Sequence, residues 1–139
     1  MKIPKIIFSK WVRWTNRTSL HNVDAPGIYI IAQFRELPTG NVDTEMQDII
    51  YIGETCSQTL KKRWNNFHAA VFNGKNGVHS GGETCRKILK DNGVNLSVAA
   101  FPVNELNNQI RPSFIRYVER KLIWKYARKW GKTPTCNKK

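Results

Sequence analysis

The sequence predicts an α+β domain: a small three-stranded antiparallel sheet flanked by helices. Three observations carry that expectation. Two short runs rich in β-branched and aromatic residues, 27–34 and 49–53, are separated by a polar stretch. The segment after the second run has apolar residues at helical spacing, as does the segment from Pro112 to about Trp130. In order, Pro26-Gly27 opens the first strand, and 37–47, with Pro38-Thr39-Gly40-Asn41, reads as a long polar hairpin loop. The second strand ends at Gly53. Ser57 is the expected N-cap of a helix reaching Asn73, with Leu60, Trp64, Phe67 and Val71 on its apolar face. A glycine-rich loop, 73–82, precedes a short helix from Glu83 to Lys90, stopped at Asp91-Asn92-Gly93. Val94 to Phe101 reads as the third strand, and Pro112 and Gly131 bracket the last helix. Residues 1–22 form a basic aromatic extension whose Trp11 and Trp14 are expected to pack on the edge of the domain, 23–139.

Charge narrows the function classes. The chain of 139 residues has 23 Lys and Arg against 10 Asp and Glu, a formal net charge of +13. From residue 49 onward the only acids are Glu54, Glu83, Asp91, Glu105 and Glu119. Such a surface is the footprint of a polyanion, and nucleic acid is favoured over an anionic membrane because no amphipathic basic helix is evident. No apolar run approaches the roughly 20 residues needed to span a bilayer. Cys56, Cys85 and Cys136 lie far apart, which argues against a zinc ribbon or disulfide framework and for a reducing cytoplasm.

Within the last helix, Ile115, Val118, Leu122, Ile123 and Tyr126 share one broad arc, and Glu119 falls inside it. A carboxylate facing a core is costly unless it is paired or binds a cation. Two readings follow: a salt bridge to an arginine, or a ligand for Mg²⁺, which takes one or two protein carboxylates plus water and phosphate.

Gly27-Ile28-Tyr29 and Tyr51-Ile52-Gly53, in that order, resemble the signature of the GIY-YIG nucleases. The resemblance covers about residues 26–137. It implies a domain of that fold acting as an endonuclease on DNA phosphodiesters, with one Mg²⁺ or Mn²⁺ held by Glu119. Arg63 resembles the family's phosphate-binding arginine, and guanidinium suits that role because it grips phosphate oxygens in two places. The resemblance places the Tyr29 and Tyr51 hydroxyls in the active site, where Tyr29 orients or deprotonates the attacking water. A tyrosine serves as a base near neutral pH only if cationic neighbours lower its pKa. Asn137 resembles the family's supporting asparagine, near the chain end where fraying is the default.

One position departs from the pattern. Members often carry His or Tyr four residues after the arginine, and here Phe67 stands there. His68 lies too far round the helix to substitute, which leaves His79, in a loop whose glycines would let backbone approach a phosphate, as the candidate. Lys61, Lys62, Arg116 and Arg120 are assigned to DNA contact. The rival reading is a non-catalytic nucleic-acid-binding module on a degenerate nuclease scaffold. A single active site would nick one strand, and cutting both would require a homodimer.

Overall fold

In the computed structural model, which describes residues 1–89 and 95–138, four strands form one antiparallel sheet. They are β1 (Val12–Arg13), β2 (Gly27–Gln33), β3 (Ile49–Thr55) and β4 (Leu96–Pro102), in the spatial order β1-β4-β2-β3. The three expected strands are present, and β1 is a fourth. A two-residue strand has no periodicity to read, and it hides inside the segment expected to be an extension. Val12 pairs with Val98 and Arg13 with Ser97, so that segment completes the sheet. Trp11 and Trp14 are buried there, packed as expected.

β2 is buried from Gly27 to Ala32 because both of its faces are covered. Ile28, Ile30 and Ala32 join Ile115, Val118 and Leu122 in one core, while Tyr29 and Ile31 join Trp64, Phe67 and Cys85 in the other. The sheet is therefore sandwiched between α3 (Arg111–Trp130) on one face and α1 (Leu60–Phe72) with α2 (Ser80–Leu89) on the other. Between β2 and β3 the register runs Ile31 to Tyr51 and then Ala32 to Ile49, which leaves Ile50 as a one-residue bulge. The bulge turns both Ile50 and Tyr51 toward the α1 and α2 face.

α3 begins with Pro112 in its first turn and ends at Gly131, whose φ of 76° is the left-handed cap expected there. α1 starts later than expected. Its cap is Thr59, whose hydroxyl accepts from the Lys62 amide at 3.1 Å, and not Ser57, because Thr55 and Gln58 hydrogen-bond in a turn through this stretch. α2 starts earlier than Glu83, because the His79 imidazole caps it: the Gly82 amide donates to Nδ1 at 2.9 Å. Gly81 and Gly82 thus belong to a helix and not to a phosphate-binding loop. The expected end of α2 at Lys90, its stop at Asp91-Asn92-Gly93 and the strand start at Val94 lie outside the described residues.

The 37–47 stretch contains no strand or helix and is tied to α3 by the Trp130 indole, which donates to the Glu45 carbonyl at 2.8 Å. The cysteine reading is corrected. Cys85 and Cys136 form a disulfide, with Cα atoms 5.2 Å apart. Sequence separation said nothing against a bond that the fold makes, and the cysteines no longer argue for a reducing compartment. Among the described residues no helix is long and apolar enough to cross a membrane.

Candidate active site

β3 is an edge strand, and Tyr51, Glu119, Arg120 and Asn137 gather at its outer edge. The segment after α3 returns along it. The Cys136 amide donates to the Ile50 carbonyl at 2.8 Å. The Asn137 side chain then acts as a strand neighbour: Nδ2 donates to the Ile52 carbonyl and Oδ1 accepts from the Ile52 amide, both at 2.9 Å. The expected fraying does not occur, since this pair of bonds and the neighbouring disulfide hold Asn137 in place.

Beside that edge opens a cavity of about 310 Å³, lined among others by Tyr51, Gly81, Glu119, Arg120 and Asn137. α3 covers one face of the sheet and the tyrosines point to the other, so Glu119 and Tyr51 meet only by reaching past β3. Glycines make the approach possible. A Cβ on Gly53 would lie 2.6 Å from the Tyr29 ring and 2.6 Å from the Tyr51 ring, and one on Gly81 would lie 2.6 Å from Tyr51 Oη. The final glycine of the second tripeptide is therefore a space requirement: Tyr29 sits directly across the ladder from it.

Tyr29 is 0% exposed and His79 only 2%. Tyr29 Oη lies 2.8 Å from His79 Nε2. Because the Gly82 amide occupies Nδ1, the neutral imidazole carries its proton on Nε2 and donates it to the tyrosine oxygen. Phe67 packs its ring edge-on at 5.2 Å from the imidazole, so His79 sits beside the position where the motif's His or Tyr is missing. His68 accepts from the Trp14 indole at 3.0 Å, away from this cluster.

Electrostatics revises the proton roles expected of the tyrosines. Burial holds the Tyr29 hydroxyl well above its usual range, with Tyr51 adding to the effect and Arg63 opposing it. Burial likewise pushes Tyr51 up to about 12, against the opposing pull of Arg63. The guanidinium is near both rings, but it does not overcome desolvation. His79 is lowered to about 3, first by burial and then by Arg63, so it stays neutral.

Glu119 is half-buried and raised to about 7, first by burial and then by Glu54, with Arg120 and Arg116 pulling the other way. Arg120 and Arg116 act on its carboxylate electrostatically, and no hydrogen bond or close ion pair to it is found among the described residues. Glu54 was not singled out in the sequence. It follows the second tripeptide directly, faces the α3 side with Ile52 and accepts from Cys56 Sγ at 2.9 Å. An acid next to the motif was the only signal for it. A carboxylate held near neutrality beside a second carboxylate is a fit for a hard divalent cation, which would relieve both burial and repulsion. No group of three or more His, Cys, Asp or Glu among the described residues could hold a metal, so water and phosphate oxygens would complete the shell.

Of the DNA-contact assignments, Arg120 lines the cavity and Arg116 lies one turn before it on the exposed side of α3. Lys61 and Lys62 are exposed on α1 and do not line the cavity. In comparisons with known proteins, no family model, no curated protein and no solved structure matches this chain.

Proposed function

We propose that this chain is a metal-dependent endonuclease of the GIY-YIG type that hydrolyses DNA phosphodiester bonds at the outer edge of β3. The observation that carries the reading is the meeting of Tyr51, Glu119 and Asn137 at one cavity, backed by the Tyr29–His79 pair and Arg63. These residues come from distant parts of the chain, and a solvated basic face has no need to assemble them.

In this reading Glu119 would hold one Mg²⁺ or Mn²⁺, with Glu54 adding negative potential beside it. When bound, the ion supplies Lewis-acid charge stabilisation to the phosphate and lowers the pKa of nearby water. Arg63 and Arg120 offset charge that builds on the phosphoryl oxygens. Tyr51, which lines the cavity, positions the water, and Tyr29 acts from behind it with His79 Nε2–H fixed on its oxygen. Asn137 caps the β3 edge by occupying both polar groups of Ile52.

The test is cleavage of supercoiled plasmid in low salt with Mg²⁺ or Mn²⁺, comparing wild type, Glu119→Ala and Tyr51→Phe. Metal-dependent nicking in wild type that is lost in Glu119→Ala is the expected result. Intact plasmid under both metals, with binding retained, would sink the nuclease reading and leave the non-catalytic binding module. Phe67 at the motif's His or Tyr position is the observation that favours that second reading.

A further inference from the structure

The outer face of α3 carries a feature that helix packing does not require. Ile115, Val118, Leu122, Ile123 and Tyr126 already supply its buried side. Yet Tyr117 is 57% and Trp124 is 61% exposed, a costly placement for two large aromatic side chains. They are two helical turns apart, about 10 Å along the axis and roughly 20° apart in rotation, so they form one line. Among the described residues Trp124 takes part in no ring contact, and Tyr117 meets only Lys121, whose Nζ lies 5.8 Å from its ring centre.

The charged residues that flank this line are all positive. Arg116, Arg120, Lys121, Lys125 and Arg128 flank it, and Glu119, at the cavity, is the only acid in the helix. By the helical period, Arg120 and Arg116 lie between the aromatic line and Glu119. Arg120 itself lines the cavity, so the basic strip is continuous with the candidate active site.

We infer that the exposed face of α3 is a stacking platform for an unpaired DNA strand, with bases on Trp124 and Tyr117 and phosphates on Arg116 and Arg120, so that the substrate is DNA with a single-stranded segment beside the cut. The inference rests on the nuclease reading for its link to cleavage, but its binding half stands on this face alone. A duplex keeps its base faces inside the stack and offers this helix phosphates and groove edges but no face to stack on. A single strand presents the faces themselves, and an exposed indole with guanidinium neighbours is a sequence-tolerant partner for them.

The experiment uses the full chain with Glu119→Gln to block cleavage, and measures affinity by fluorescence anisotropy. The probes are a short oligothymidine and a blunt duplex of the same length. Adding Trp124→Ala is expected to weaken the single strand on the order of tenfold and the duplex by less than about twofold, with Trp124→Phe restoring most of the loss. Circular dichroism melting confirms that the variants are folded. Equal losses on both probes, no loss on either, or failure of the parent protein to bind the single strand would each overturn the inference. The two readings separate cleanly. Plasmid nicking with no Trp124 effect keeps the nuclease and removes the platform, while a Trp124-dependent preference for single strands without any cleavage does the reverse.

Discussion

Glu54→Gln tests the electrostatic description of the site through a residue that need not touch substrate. Glu119 titrates near 7 because burial is the largest influence and Glu54 the second. Removing the Glu54 charge therefore lowers the Glu119 midpoint, but not to the ordinary value of 4.5, since burial remains. Two measurements follow. In carbon-detected NMR of the metal-free protein, one glutamate carboxyl should titrate near 7 in wild type and lower in the variant. In calorimetric titration with Mn²⁺, only the ionised carboxylate binds, so lowering the pH from 8 to 6 should cost wild type about tenfold in affinity. The variant should lose less over the same span. Stability gives a third check. With a folded pKa raised from 4.5 to about 7, the Glu119 contribution is fully present below 4.5 and is lost as pH rises through 7. Glu119→Gln should flatten that part of the stability profile. A Glu119 midpoint near 4.5 in wild type, or a midpoint that Glu54→Gln leaves unmoved, would refute the account of two carboxylates sharing a partly dry site.

Other changes probe the framework. Gly81→Ala sets a Cβ 2.6 Å from Tyr51 Oη, so the ring or the helix must move; a loss of about 1–3 kcal/mol is expected in urea unfolding. The Cys85–Cys136 bond joins residues 51 apart, and its removal by Cys85→Ala with Cys136→Ala should cost about 2–4 kcal/mol. A wild-type urea midpoint that ignores reductant would count against the bond. His79, lowered from 6.5 to about 3, stays neutral when folded while the unfolded chain takes up a proton near 6.5. Its contribution is thus complete above 6.5 and lost as pH falls toward 3, and His79→Gln should remove that slope from an acid unfolding series.

Local chemistry was legible where it repeats or punctuates. The period of α3, with Pro112 and Gly131 at its ends, could be read to within a residue, and so could the apolar run of β2. What escaped depends on residues far apart in the chain. β1 exists only because β4 lies beside Val12 and Arg13. His79 as a cap required knowing that Gly82 turns its amide back, and two glycines in a row read as loop until Tyr51 and Ala70 are seen to need the space. The disulfide and the Asn137 clasp are likewise long-range facts. Glu119 was visible as a misplaced charge, whereas Glu54 looks like any polar residue at a strand end until α3 comes near it.

The order of proton affinities in the cavity bears on how such a site could operate. Glu119 is raised to about 7, Tyr51 is pushed up to about 12 and Tyr29 is held well above its ordinary value. Arg63 already acts on both tyrosines, and desolvation still outweighs it. What burial opposes is net charge in the cavity, and the two carboxylates raise the tyrosines further, Glu119 for Tyr51 and Glu54 for both. Tyr51 lines the cavity and Tyr29 is enclosed, so a cation held at Glu119 would act on the Tyr51 hydroxyl before that of Tyr29. Tyr29, accepting from His79, is then placed to support its neighbour and not to meet water itself, which makes Tyr51 the tyrosine whose loss should be felt most in any pH profile of cleavage.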